Sequence, residues 1–306
     1  MNKVSIHHTD LLASPIVLGM MRIASMSFKD AEKLVGTALE EGINHFDHAD
    51  IYGRGACETL FGQVLKNHPD WREKMILQDK VGIVPGTMYD FSGKHIMEAV
   101  EGCLKRLNAD SLDTLLLHRP DALMEPEEIA EAFDRLYDAG KVKHFGVSNH
   151  TPVQIELLKT CVKRPLIINQ LQWSIMHTGL TDNGIHMNNH SDAAICRDGY
   201  ALDYARIHKM TVQAWSPMQY GFFEGVFVGN SLFPELNKTL DAIAERYAIT
   251  PSAVAVAWLL RHPTSVQVII GTTNIQRVQA AVKACGVRLK REEWYALYQA
   301  AGHTLP

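Results

Sequence analysis

The sequence has no surplus of charge. Its 306 residues carry 30 Lys plus Arg against 34 Asp plus Glu, a formal net charge of −4. Such a balance offers no basic field to nucleic acid, so no nucleic-acid partner is expected. Cysteine is scarce too. Cys57, Cys103, Cys161, Cys196 and Cys285 are odd in number, widely spaced and never in a Cys-x-x-Cys pair. This speaks against a disulfide framework and against a zinc site. Apolar runs such as Leu115–Leu117 and Val266–Ile270 fall far short of the roughly 20 residues that span a bilayer, so no membrane partner is expected. The opening Met1–His8 has no apolar stretch ahead of a small-residue cleavage site. That predicts no secretory signal and a cytoplasmic, thiol-reduced protein. Glycine-rich phosphate loops are also missing. The nearest match, Gly53-Arg54-Gly55, lacks the third glycine of a dinucleotide fingerprint, and no Walker-type loop occurs.

What the sequence does contain is a recurring unit. Hydrophobic residues make up 46% of it, enough to fill a sizeable core. Strands are predicted at Pro15–Met20, His45–Asp50, Met75–Lys80, Leu112–His118, His144–Asn149, Leu166–Leu171, Thr211–Ser216 and Val266–Gly271. Most are continuous apolar runs, the pattern of strands buried on both faces of a parallel sheet. Helices fall between them with their own signals. Ser27 can cap a helix whose stripe is Ala31, Leu34, Val35, Ala38 and Leu39, with Gly42 as its stop. Ile129, Phe133, Leu136 and Tyr137 end at Gly140, and Thr250-Pro251 opens a helix that Pro263 closes. Eight such βα units predict an α/β fold, a single (β/α)8 TIM barrel spanning 1–306 as one domain. A doubly wound sheet would normally bring the glycine fingerprint that is missing. Two connections are long, Gln172–Arg197 and Pro217–Pro234. Both follow a strand, so they are expected at the C-terminal face as substrate-covering loops.

Four titratable residues lie at the ends of successive strands: Asp47 and Tyr52 after the second, Lys80 on the third, His118 on the fourth. A tyrosine with an ordinary pKa near 10 is a poor proton donor at pH 7. A nearby ammonium lowers that pKa, a carboxylate holds the ammonium, and a histidine can orient a carbonyl oxygen. The set suits protonation of a carbonyl oxygen while hydride arrives at carbon.

Phe46-Asp47-His48-Ala49-Asp50-Ile51-Tyr52-Gly53, followed by Glu58 and Gly62, resembles the aldo-keto reductase signature. Leu115-Leu116-Leu117-His118-Arg119-Pro120-Asp121 resembles the fourth-strand motif of that family, and Gly140–Asn149 its fifth-strand motif. The resemblance covers nearly the whole chain and implies an NADPH-dependent reductase (NADPH/NADP+ as cofactor) that acts on a small-molecule carbonyl substrate. By that resemblance Tyr52 is the general acid, Lys80 and Asp47 tune it, and His118 positions the carbonyl. Ser148, Asn149 and Gln170 map to carboxamide contacts. Trp215, with Ser216 beside it, maps to the aromatic that stacks on the nicotinamide. Gly271, Thr272, Thr273, Asn274 and Arg277 are similar to the adenosine-phosphate site. A helix start with an arginine one turn on attracts phosphate for independent reasons, which favours NADP over NAD. Ala280 and Ala281 stand where many relatives carry Glu-Asn. Met20, Met21, Tyr89, Trp173, Phe222 and Phe223 are candidates for an apolar substrate pocket.

Two other readings compete. A metal-dependent hydrolase would draw ligands from His45, Asp47, His48 and His118. However, His45-x-x-His48 on a strand faces opposite ways, no His-Glu-x-x-His helix exists, and no metal is expected. A non-catalytic cofactor-binding subunit, known in the same family, is the second. Retention of all four presumed catalytic residues favours the enzyme. A monomer is the expected state.

Overall fold

The computed structural model describes residues 1–306. Eight parallel strands close into a barrel: β1 (Ile16–Gly19), β2 (His45–Asp47), β3 (Ile76–Val81), β4 (Leu112–Leu117), β5 (Val142–Ser148), β6 (Leu166–Gln172), β7 (Thr211–Trp215) and β8 (Val266–Ile270). Each strand pairs with its chain neighbour, and closure comes from β8 on β1, with Val268 opposite Ile16 and Ile270 opposite Leu18. All eight predicted strands are present. The second is shorter than predicted, because the chain leaves the sheet after Asp47.

The crossover helices are α1 (Phe28–Glu40), α2 (Ala56–Asn67), α3 (Gly93–Leu107), α4 (Pro126–Asp138) and α5 (Pro152–Lys159) in the first half. The second half has α6 (Gly179–Ile185), α7 (Ala201–Ile207), α8 (Pro234–Tyr247), α9 (Pro251–Leu260), α10 (Ile275–Lys283) and α11 (Arg291–Ala300). Their boundaries follow local chemistry. Ser27 accepts a hydrogen bond from the Asp30 N–H, and Thr250 from Ala253 N–H, so each satisfies an otherwise free helix donor. Gly42 and Gly140 follow α1 and α4 in the left-handed region, as predicted.

The main core fills the belt between barrel and helices. The N-terminal hairpin, Val4–Ser5 paired with Leu12–Ala13, was not read from the sequence. Its Ile6 and Ala13 pack on Ile76, Leu116, Ile167 and Ile168 and close the barrel floor. Asn44 anchors it, accepting from Ser14 N–H and donating to Leu12 O.

The two long connections do lie beyond β6 and β7, but neither is structureless. Gln172–Arg197 contains α6 and a short turn of helix, and Pro217–Pro234 folds Gln219–Tyr220 against Gly225–Val226 as a hairpin. No helix is long and apolar enough to cross a membrane.

Candidate active site

Strand alternation decides which side chains enter the barrel. On β3, Gln78 and Lys80 point inward while Asp79 points toward the helices; on β2, His45 and Asp47 share the inner face. The inner layer is therefore polar. Gln78 Nε2 and Gln170 Nε2 each donate to Gln213 Oε1, at 2.8 and 3.0 Å, and Gln213 Nε2 donates to Gln267 Oε1 at 3.0 Å. Gln267 in turn donates to Ser14 O at 2.8 Å. These amides satisfy one another in a space that excludes water.

The network ends on one charge pair. Lys80 Nζ donates to Asp47 Oδ1 at 2.7 Å and to His48 O at 2.6 Å, with the Lys80 side chain fully buried. Asp47 Oδ1 also accepts from Gln78 Nε2 at 2.6 Å and Gln170 Nε2 at 3.0 Å. Burial alone raises a carboxyl pKa, yet the Lys80 ammonium and these donors hold Asp47 below its ordinary value. Burial likewise works against the Lys80 ammonium, but attraction to Asp47 and Tyr52 leaves its pKa above the ordinary one. The pair is ionic.

Tyr52 opens a tight turn after β2. Gly53 at φ +57° and Gly55 at φ +86° let the chain double back into α2 within four residues. The turn brings the Tyr52 ring centroid to 5.0 Å from Lys80 Nζ and 6.1 Å from the His118 ring, nearly perpendicular to it. The net Tyr52 pKa is raised, which corrects the expected lowering: burial outweighs the pull of Lys80. The phenol is therefore a fully loaded acid before any ligand binds. His118 is held near 3, first by burial and then by Lys80, so its imidazole is neutral throughout the ordinary pH range.

These four residues meet as predicted, at the C-terminal end of the barrel, and Asp47, Tyr52 and His118 line a cavity of about 610 Å³. Of the predicted cofactor residues, Ser148, Asn149, Gln170, Trp215 and Ser216 line it on one side and Gly271, Thr272 and Arg277 on another. Thr273 and Asn274 are not part of the lining. Both are exposed, and Asn274 is spent as the cap of α10, accepting from Arg277 N–H at 3.1 Å. Asn149 and Ser216 sit at φ +61° and +52°, uncommon for side-chain-bearing residues and typical of strained functional positions. Asn149 Oδ1 accepts from Trp215 Nε1 at 3.2 Å, which fixes the indole. The donor set fits an elongated ligand with an anionic end. The start of α10 opens on the cavity beside an unpaired arginine, no atom approaches a Cβ built on Gly271 within 4 Å, and Ala281 adds only a methyl to the wall.

The substrate candidates divide. Met21 and Phe223 line the cavity. Met20 and Trp173 do not, because both are fully buried, Trp173 with its ring against Trp258 and His262. Tyr89 is exposed and is not part of the lining, although Ile83, its partner in the hairpin, is. Phe222 stands at the rim, its ring 4.8 Å from that of Phe223. The sequence reading missed Gln78, Gln213 and Gln267. Their signal was present as single glutamines inside apolar strand runs.

Comparison with known proteins agrees with this geometry. The model described as the aldo/keto reductase family matches residues 15–301. The 6-dehydroglucose reductase of Novosphingobium aromaticivorans is 35% identical, over 98% of this chain and 95% of the relative. The 6-dehydroglucose reductase of Agrobacterium fabrum is 34% identical over 94% of both chains. Oxidoreductase YdhF of Escherichia coli is 34% identical over 96% and 95%. Among solved structures, the thermostable aldo-keto reductase Tm1743, crystallised with the inhibitor epalrestat, superposes with a TM-score of 0.78 at 24% identity, covering 98% of this chain and all of that one. That last likeness bears on fold alone. With the family match running from the first barrel strand through the final helix, the chain belongs to the aldo/keto reductase family.

Proposed function

We propose that this protein reduces the carbonyl group of an aldehyde or ketone of modest size to an alcohol, with NADPH as the reductant and Tyr52 as the general acid. The observation that carries the reading is the convergence of Tyr52, the buried Lys80–Asp47 pair and neutral His118 on one end of one cavity. When bound, the reduced nicotinamide supplies hydride to the carbonyl carbon. The chain's own residues do the rest. Neutral His118 donates an N–H to the carbonyl oxygen and holds it beside the phenol. Tyr52 transfers its hydroxyl proton to that oxygen as charge develops there, and the Lys80 ammonium stabilises the phenolate left behind. Asp47 keeps Lys80 charged and in place, and the glutamine layer beneath keeps water from the pair.

Ser148, Asn149 and Gln170 would hold the carboxamide, with Trp215 as the apolar platform for the ring. Arg277 and the start of α10 would hold the 2′-phosphate. In this reading residues 1–306 act as one domain, as a cytoplasmic monomer. Replacing Tyr52 with Phe tests the assignment: kcat for carbonyl reduction should fall by about 100-fold or more, with NADPH still bound. A variant that kept most of its turnover would remove Tyr52 from the acid role.

A further inference from the structure

Charge is unevenly placed around the catalytic cavity. Its lining contains one acid, Asp47, already neutralised by Lys80. It contains three arginines, Arg22, Arg119 and Arg277, and none of them forms an ion pair in a protein with sixteen such contacts. Two of the three belong to the β8 side. Arg277 lies in the first turn of α10, and Arg22 donates through Nη1 to Gly271 O at 3.2 Å. An anionic cofactor held at α10 accounts for both.

Arg119 has no such account. It follows His118 at the end of β4, half-way round the eight-stranded ring from β8. It is partly buried and makes no hydrogen bond to the protein, although a guanidinium carries five N–H donors. Asp121, the nearest acid in the chain, is occupied: its Oδ2 accepts from Phe91 N–H at 2.9 Å and its Oδ1 from Leu123 N–H at 2.8 Å. What Arg119 does touch is aromatic, the Phe222 ring with its centroid 5.9 Å away. An uncompensated planar cation, propped on an aromatic face beside the residue that positions the carbonyl, is built to receive a planar anion.

We infer that Arg119 determines substrate specificity by binding a carboxylate, so that the preferred substrates are carbonyl compounds carrying a carboxylate group. This rests on the carbonyl-reductase reading and sharpens it. The carboxylate accepts paired N–H bonds from Arg119 while the carbonyl oxygen faces Tyr52 and His118, and the apolar side chains of Ile51, Ile83 and Met218 are part of the same cavity lining.

The test uses a matched pair of substrates, succinic semialdehyde and butanal, which differ chiefly in the carboxylate. Initial rates with NADPH give kcat/KM for each in the parent protein, in Arg119→Met, in Arg119→Lys and in Arg22→Met. The parent should prefer the acid. In Arg119→Met the acid-to-neutral ratio should fall by about 10- to 100-fold, mostly through KM for the acid, and Arg119→Lys should recover part of it. Arg22→Met removes an equal charge from the same cavity and should move the ratio by less than about threefold. A parent with no preference, or an unchanged ratio in Arg119→Met, overturns the inference while leaving the reductase reading intact. An equal drop in Arg22→Met also overturns it, since the effect would then come from the general field. If the parent reduces neither compound, it is the reductase reading that fails. Titration of succinate against the parent and Arg119→Met by intrinsic fluorescence then decides the carboxylate site by itself: equal affinities overturn it, and at least tenfold weaker binding to the variant supports it.

Discussion

Replacing Asp47 with Asn is the perturbation whose consequence follows most directly from the structure. The substitution keeps the size of the side chain and an oxygen for Gln78 and Gln170 to donate to, exchanges the other oxygen for an amide NH2, and removes the charge. What remains is an ammonium at 0% exposure with no counter-ion. Removing one partner of a buried pair costs about 3–5 kcal/mol, because the surviving charge cannot reach water. Unfolding entropy of about 2.1 cal/mol/K per residue over 306 residues converts that to a Tm lower by about 5–8 °C. Scanning calorimetry at pH 7 reads it. The double variant Asp47→Asn with Lys80→Met replaces the pair by two neutral groups and should recover most of the lost stability while still failing to reduce a carbonyl. A single variant within about 1 °C of the parent would refute the reasoning, since it would mean that Lys80 is not held in the fold as a buried cation.

Three further outcomes can be checked. In Gly62→Ala the new methyl would meet Arg106 O at 2.1 Å and Leu107 C at 2.8 Å. Helix α2 must therefore move off α3, at a cost of about 3 kcal/mol or more, read as a lower urea midpoint; an unchanged midpoint would show that the two helices are not in contact there. His45 and His150 are held near 4, and His48 and His118 near 3, all first by burial. Below pH 6.5 the unfolded chain takes protons that the folded one refuses, a loss of about 2 kcal/mol each by pH 5. Asp50, raised to about 7 by burial and then by Glu58, and Asp79, raised in the same way, work in the opposite sense and offset part of this. The Tm should still fall from pH 7 to pH 5, and a rise would contradict the histidine assignments. Replacing Arg277 with Ala should weaken NADPH binding by about 10- to 100-fold and NADH binding far less, followed through Trp215 fluorescence. Equal weakening would remove the 2′-phosphate from that site.

Periodicity made the barrel legible because a parallel sheet buried on both faces leaves a local record: an apolar run, then a cap, then a stripe. The same record identified Tyr52, Lys80, Asp47 and His118, since strand ends at one mouth of a closed barrel must converge. Direction along the sheet was harder to read. Met20 and Trp173 lie at strand ends as the pocket candidates should, yet their side chains turn into the core, where Trp173 packs on Trp258. A position in the sequence does not encode that rotation. The sign of the Tyr52 shift was equally hidden, because it depends on how much water the closed barrel excludes, and that is a property of all eight strands together. Gln78, Gln213 and Gln267 look like isolated interruptions one strand at a time. They acquire meaning only when closure sets them side by side.

That closure joins the beginning of the chain to its end. Strand β8 is synthesised more than 250 residues after its partner β1, together with the Gln267 amide that fastens to Ser14 O. A ribosome therefore releases seven strands as an open sheet with two bare edges before the eighth emerges. In that interval Lys80 and Asp47 are not yet sealed in, and the edges of β1 and β7 are exposed to other chains. Translation that stopped before Val266 would leave seven strands and no barrel, and that truncated product is where chaperone dependence and aggregation of this protein should concentrate.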